Sequence, residues 1–416
     1  MADPGTVVIH SDDQRSSGYL WLDRAWLVLL VILAAYSFNL YRSGRYCSFL
    51  GTDFRGYYAA AQIARQRGFA EVYNQPTQEQ YQAALAYRCP DGSLAPPLLS
   101  VSMPYLPVFV LVFLPLTYLD LNSAYLIWTL TNLAALYFYL GHFTSRLGKR
   151  ASCMRTMQWC LCLPVFSNLA LGQMNVFPMI CLGEWVLAGL RGRSYLAGFW
   201  LGGLLVKPHI LVLLLPGLVI RKSGISLAGF LSSALAVGLA STLLGGWQGV
   251  WSAVQLAARF SGSLIQTGPT MMNFRALALN LAALLPAWLA WAVAMCGMIL
   301  VAGYTLYLWK RPLPATGLGF IFLTVATLAA TFATTWHSHF YLLMLLIPSM
   351  LALDTKQVLS PAWRWAWIAG PPLTYALFYL VNPQQARSWV GLGMLAMNLL
   401  LLAWSAGRLK DLSFER

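Results

Sequence analysis

Runs of apolar residues, closed by short polar or basic stretches, repeat along the chain. A helix needs about twenty apolar residues to cross the hydrocarbon core of a bilayer. Several runs reach that length, so the pattern predicts membrane-spanning helices. The first, AWLVLLVILAAYSFNLY from Ala25, has no small-residue cleavage site after it and predicts a retained helix rather than a signal peptide. The next unambiguous span is SAYLIWTLTNLAALYFYLGHF (123–143), which leaves residues 43–121 as a large first loop. Inside that loop, PYLPVFVLVFLPLTYL (104–119) is apolar but short and holds three prolines, which predicts an interfacial or re-entrant segment and not a full crossing.

Composition agrees with the pattern. Hydrophobic residues make up 59% of the 416 positions and charged residues 10%, and the mean hydropathy is +0.62. A water-soluble domain could not clothe its surface with so little polarity. The net charge of +14 is scattered over helix ends and not gathered on one soluble face, which argues against nucleic acid and for the positive-inside bias of a membrane protein. The fold class predicted is an all-α polytopic membrane protein.

Charge also sets the orientation. The 123–143 span runs into SRLGKRASCMR, a short, strongly basic loop that belongs in the cytoplasm. The N-terminus is then inside and the 43–121 loop outside. LRGR (190–193), RKSG (221–224), WKRP (309–312) and DTK (354–356) follow as inside. One tilted helix over 195–220 would put RGR and RK on opposite sides, so two short spans breaking at Lys207-Pro208 are expected. About twelve spans result. Residues 1–23 and 407–416 form cytoplasmic tails, 24–406 the transmembrane domain, and 245–285 a second long outer loop. The protein is placed in the cell membrane with its working face extracytoplasmic. A Cys47–Cys89 disulfide is open if the first loop is extracytoplasmic. The other five cysteines fall in or beside apolar segments and read as packing.

Only 13 residues are Asp or Glu, so the positions of polar groups are informative. Asp53, Lys207, His209, Arg275, His337, His339, Gln173 and Asn175 all fall at or near the outer ends of spans, which suggests one outward-facing cavity holding a base, cations and hydrogen-bond donors. Each has a plainer use. Asp53 suits the N-cap of its own helix. Lys207 could snorkel to the interface, as could Arg275. His337 and His339 suit the interface and would diverge on a helix, making a poor metal pair. Glu184, deep in a span, is expected to pack against Gln173 or Asn175. Two amphipathic surface helices are expected in the first loop. In one, Phe54, Tyr57, Tyr58, Ala61 and Ala64 form the apolar face opposite Arg55, Gln62 and Arg65. The other has Thr77-Gln-Glu-Gln80 as a capping box and a stripe of Tyr81, Ala84 and Leu85.

The order TDFRGYYAAAQIARQRGFAEVY, MPYLPVFVLVFLPLTYL, LGQMNVF, LLVKPHILVLLLPGLVIRK, MMNFRAL, WHSHFYLLMLLIP resembles glycosyltransferase family 87, across roughly residues 45–350. Each motif alone is weakly specific; six in register are more so. The resemblance implies a GT-C fold, a polyprenyl-phosphate-linked sugar donor such as polyprenyl-phosphate mannose, and an inverting hexosyltransferase with Asp53 as general base. It implies Lys207, Arg275, His339 and His337 as donor-phosphate contacts, with His339 favoured over His337 because the family's histidine spacing differs slightly. Tyr57, Tyr58, Gln173, Asn175 and His209 are candidate substrate contacts. The leaving group is already a phosphate, so no general acid is required, and neither cofactor nor metal is expected. Partners would be the lipid-linked sugar, a lipid or glycan acceptor and the bilayer, but no nucleic acid.

Two rivals remain at this level. The broken 195–220 stretch suits a transporter or flippase for a lipid-linked or anionic solute, although no inverted repeat accompanies it. A non-catalytic assembly partner for another envelope enzyme is the other.

Overall fold

A computed structural model describes residues 51–85, 87–88, 94–95, 103–149, 153–263, 271–312, 317–359 and 383–414, together with Val28. The Ala25 span, Cys47, Cys89 and the 1–23 tail lie outside the described residues. What is described is almost entirely helical, apart from a two-residue antiparallel pair, β1 (Tyr87–Arg88) and β2 (Leu94–Ala95). Among the described residues, four helices are long and apolar enough to cross a membrane: Leu121–Arg146, Gly224–Arg259, Ala287–Lys310 and Gly391–Leu412. They leave Leu130, Phe138, Leu243, Ile299 and Leu300 exposed. A helix satisfies its own backbone and tolerates lipid against such faces, and the chain is a membrane protein.

The first loop folds as α1 (Thr52–Arg67), a 3₁₀ turn at Phe69–Tyr73 and α2 (Gln75–Ala83). A short helix, α3 (Pro107–Val110), then tightens into a 3₁₀ run at Leu111–Tyr118. The amphipathic reading of α1 holds in part: Phe54, Tyr57, Tyr58, Ala61 and Ala64 are buried, Gln62 is half-buried and Arg65 is exposed. Arg55 is only 2% exposed, and Ala59 and Ala60 are buried along with the expected apolar face. The protein thus covers more of this helix than one apolar face. The cap of α2 also moves: Asn74 Oδ1, not Thr77, accepts the first-turn amide, that of Thr77 itself at 3.1 Å. Thr77, Gln78 and Gln82 are buried, while of the expected stripe Tyr81 and Leu85 are half-buried against the core and Ala84 is exposed.

The bundle continues with α4 (Leu121–Arg146), α5 (Cys153–Cys160), α6 (Leu163–Leu171), α7 (Val176–Leu190) and α8 (Ser194–Leu201). A 3₁₀ turn, Gly202–Val206, leads to Lys207, whose backbone is non-helical (φ −139°, ψ 74°). Pro208–Ile210 then opens α9 (Leu211–Ile220). The first limb packs on the helix that follows the second. A Cβ on Gly198 would meet the Ser226 carbonyl at 1.8 Å, and one on Gly229 the Tyr195 carbonyl at 2.0 Å. The start of α8 therefore lies against the start of the next helix, a few residues beyond the end of α9. The break expected at Lys207-Pro208 is present.

The remaining helices are α10 (Gly224–Ser263), kinked at Gly246, α11 (Phe274–Leu281), α12 (Ala287–Lys310), α13 (Leu318–Thr334), α14 (Ile347–Thr355) and α15 (Pro383–Phe414). The described parts of the expected 245–285 loop are largely helical, and the expected C-terminal tail continues α15 as far as Phe414. Glu184 accepts a hydrogen bond from Tyr139 at 3.2 Å and not from Gln173 or Asn175.

The bundle has two unlike ends. At one, Arg191 donates to the Arg146 carbonyl at 3.0 Å, and Gly217 lies against Trp309, next to Lys310. The basic loops meet there. At the other end of α4, Tyr125 donates to the carbonyls of Leu169 and Ala170, and Trp128 to that of Gly172. The candidate functional residues meet at this second end.

Candidate active site

Asp53 reaches this end through the start of α1. Gly51 takes a left-handed conformation and its amide donates to the Ala170 carbonyl at 2.7 Å, tying α1 to the end of α6. The N-cap position is Gly51, without a side-chain cap. Asp53 lies in the first turn instead, so capping does not account for it, and its charge there is favoured by the helix dipole.

Its partner comes from the turn after α6. Gly172 ends that helix with φ 73°, and a Cβ there would lie 2.5 Å from Phe54 Cβ. Glycine alone combines the left-handed turn with that approach. The turn delivers Gln173, whose Nε2 donates to Asp53 Oδ2 at 2.5 Å. Gln173 Oε1 accepts from Tyr57 at 3.0 Å and from Lys207 Nζ at 2.8 Å. The Tyr57 hydroxyl is also 3.3 Å from that of Tyr105.

Lys207, 5% exposed, leads onward. Its Nζ lies 5.0 Å from the centre of the Tyr341 ring. His339 packs 5.4 Å from that ring, and His337 lies 4.8 Å from His339. These histidines are not on a helix. They occupy the connection between α13 and the Phe340–Leu346 turn, where His339 is extended (φ −106°, ψ 155°). The chain is not helical here, and it brings together two rings that a helix would separate. Arg275 enters in the first turn of α11, capped by Asn273 Oδ1. Asn273 donates to the Thr335 carbonyl at 2.8 Å and the Met272 amide to Ser338 at 3.0 Å, pinning α11 to the histidine segment. The Arg275 guanidinium lies 4.8 Å over Trp336, which stacks on Trp291.

Asp53, Lys207, His337 and His339 lie in the first turn of α1 or in connections between helices. Burial raises the Asp53 pKa above the usual carboxylate value, against the hydrogen bond from Gln173 and the charge of Lys207. Burial pushes Lys207 down to about 7, with Asp53 opposing. His337 is pushed down to about 4 by burial, then by Lys207 and Arg275. His339 is lowered by burial and then by His337, Lys207, His209 and Arg275. An anion placed among these cations would favour their charged forms.

One of the expected site residues stands apart, and two are buried with polar atoms unpartnered. Tyr58 donates to the Leu119 carbonyl at 2.7 Å and belongs to the α1–α3 packing. Asn175 donates its backbone amide to Asn168 Oδ1 at 3.2 Å, and its side chain is fully buried with neither polar atom partnered. His209 Nε2 is likewise buried without a partner. Tyr105, Tyr341 and Trp336 belong to the cluster and were not singled out from the sequence. Tyr341 lies in the Phe340–Leu346 3₁₀ turn, and no spacing in the sequence marked it. Among the described residues, no three of His, Cys, Asp and Glu gather where they could hold a metal ion.

No curated protein and no solved structure matches the chain. The model for glycosyltransferase family 87 does, over residues 104–335, more than half of the chain, and the protein belongs to that family of glycosyltransferases.

Proposed function

We propose that this glycosyltransferase moves a sugar, mannose first among the candidates, from a polyprenyl-phosphate-linked donor to a lipid or glycan acceptor with inversion. The observation that carries the reading is the connected cluster itself, in which one carboxylate faces a set of cations through a neutral amide. The acceptor oxygen attacks the anomeric carbon as the bond from that carbon to the phosphate oxygen breaks. The electron pair stays on the phosphate, and the acceptor proton passes to Asp53. Lys207, Arg275, His339 and His337 stabilise the departing phosphate. The unpartnered side chains of Asn175 and His209 are natural contacts for substrate hydroxyls, because buried polar groups rarely stay unsatisfied. Membership of a glycosyltransferase family favours transfer over the flippase reading.

In this reading the bundle has a GT-C fold of about twelve spans, with the basic end cytoplasmic and the Asp53 end extracytoplasmic in the cell membrane. Tyr57, Gln173 and the apolar 104–119 segment border the substrates. Transfer needs no divalent ion; activity lost to a chelator and restored by a divalent cation would overturn that. The function is tested by mass spectrometry of lipids from cells with and without the gene. A glycan one residue shorter in its absence, restored by the wild-type gene but not by Asp53→Asn, is expected. An unchanged lipid profile contradicts the reading.

A further inference from the structure

We infer that Gln173 is a positioning residue for the base, an amide bridge that clamps one oxygen of Asp53 and leaves the other to take the acceptor proton. The inference rests on the reading of Asp53 as the base.

The amide orientation follows from its partners. Oε1 lies between two donors, the Lys207 ammonium at 2.8 Å and the Tyr57 hydroxyl at 3.0 Å, while Nε2 faces Asp53 Oδ2. Reversed, the NH2 group would face an ammonium and the carbonyl would face a carboxylate, donor against donor and acceptor against acceptor. A glutamine free to flip could not hold a carboxylate in one pose; this one is pinned from the far side by a cation. Gln173 is itself 5% exposed, and Gly172 beside it takes the left-handed turn pressed against Phe54 that sets its position. The bridge thus joins three elements: α1 through Asp53 and Tyr57, the α6–α7 turn through Gln173, and the α8–α9 break through Lys207.

A direct Lys207–Asp53 ion pair would neutralise the carboxylate and weaken it as a proton acceptor. The interposed amide separates the two charges and still donates one hydrogen bond to the ionised base. A carboxylate oxygen so engaged is less available for a second proton, which directs proton transfer to Oδ1. The other groups facing Asp53 are Tyr57 on α1, Tyr105 in the 103–106 segment and Tyr341 after the histidines, along with Lys207 itself. Gln173 is the one whose hydrogen bond favours the ionised form of Asp53 directly.

The test combines two readouts on the full-length protein in nanodiscs. Infrared titration of isotope-labelled aspartate, with the Asp53 band assigned by difference from Asp53→Asn, follows the carboxyl without any substrate. Gln173→Leu should move the Asp53 midpoint to higher pH. Gln173→Glu, which keeps the shape and the contacts to Lys207 and Tyr57 but sets carboxylate against carboxylate, should move it further, and it keeps the question open to measurement if the leucine variant does not fold. With polyprenyl-phosphate mannose as donor, both variants should lose kcat on the order of 10²-fold, with little change in donor KM and with the acid limb of the pH profile moved upward. A folded variant with an unmoved Asp53 midpoint and an unmoved acid limb would overturn the inference. Wild-type transfer by Asp53→Asn would instead remove Asp53 as the base, whatever the Asp53 midpoint does in the Gln173 variants, so the two failures are told apart.

Discussion

A base that works near neutral pH must be ionised yet basic enough to accept a proton, and Asp53 is set between those demands. An unperturbed aspartate titrates near 3.9; burial raises this one, with Gln173 and Lys207 limiting the rise. Transfer should therefore decline, as pH falls, at a pH above the ordinary carboxylate range, and a rate profile flat down to that range would contradict the assignment. The sign for stability is the reverse of a salt-bridged aspartate. A raised folded pKa means the native state holds the proton more tightly, so its contribution is fully present below the unfolded pKa and is lost as pH rises through the folded one. Ionised Asp53 is thus a cost to folding at neutral pH. Asp53→Asn should melt no lower than wild type while losing about 10²–10⁴-fold in transfer, and thermal unfolding beside an activity assay checks both. These charged positions were readable in the sequence because ionisable groups are expensive at a membrane and collect where they are used. Tyr105 and Tyr341 were not, since a buried tyrosine is ordinary in any core. The bridging role of Gln173 needed three partners in space.

Two turns place the site at the level of elements. The α6–α7 turn depends on Gly172, where a side chain would meet both a left-handed backbone and Phe54. Gly172→Ala should lower stability by about 1–3 kcal/mol and activity more than the stability loss explains, because Gln173 moves with the turn. An alanine variant with wild-type melting and activity would show that the turn is not held as described. The α8–α9 break was legible from charge, since one straight helix could not leave both RGR and RK on one side. The loop helices were read less well. The period of Phe54, Tyr57, Tyr58, Ala61 and Ala64 is real, but burial extends beyond that face to Arg55, Ala59 and Ala60. Asn74, three residues before the supposed cap Thr77, shows how closely spaced polar residues leave helix boundaries ambiguous. The histidine pair was misread for a related reason: helical spacing was assumed for a segment that is extended.

For the whole molecule, the clearest feature is its two-ended design, with basic loops at one end of the bundle and the carboxylate, amide and cation cluster at the other. Apolar period and charge distribution made the membrane class and this separation legible, because both are written in composition over long stretches. The packing of the first loop under the bundle was not, since it depends on contacts between distant residues. The orientation is tested by single cysteines in a cysteine-free background. One at exposed Arg67 on α1 should react with an impermeant maleimide in intact cells, and one at exposed Lys222 only after permeabilisation; the opposite pattern would invert the proposed topology. The most direct test of the central claim is sugar transfer by purified wild-type and Asp53→Asn protein in nanodiscs, with radiolabelled polyprenyl-phosphate mannose as donor and extracted membrane lipids as acceptor. The account predicts labelled glycolipid with wild type and none above background with the variant, although both bind donor equally. Equal transfer by the two proteins would contradict it.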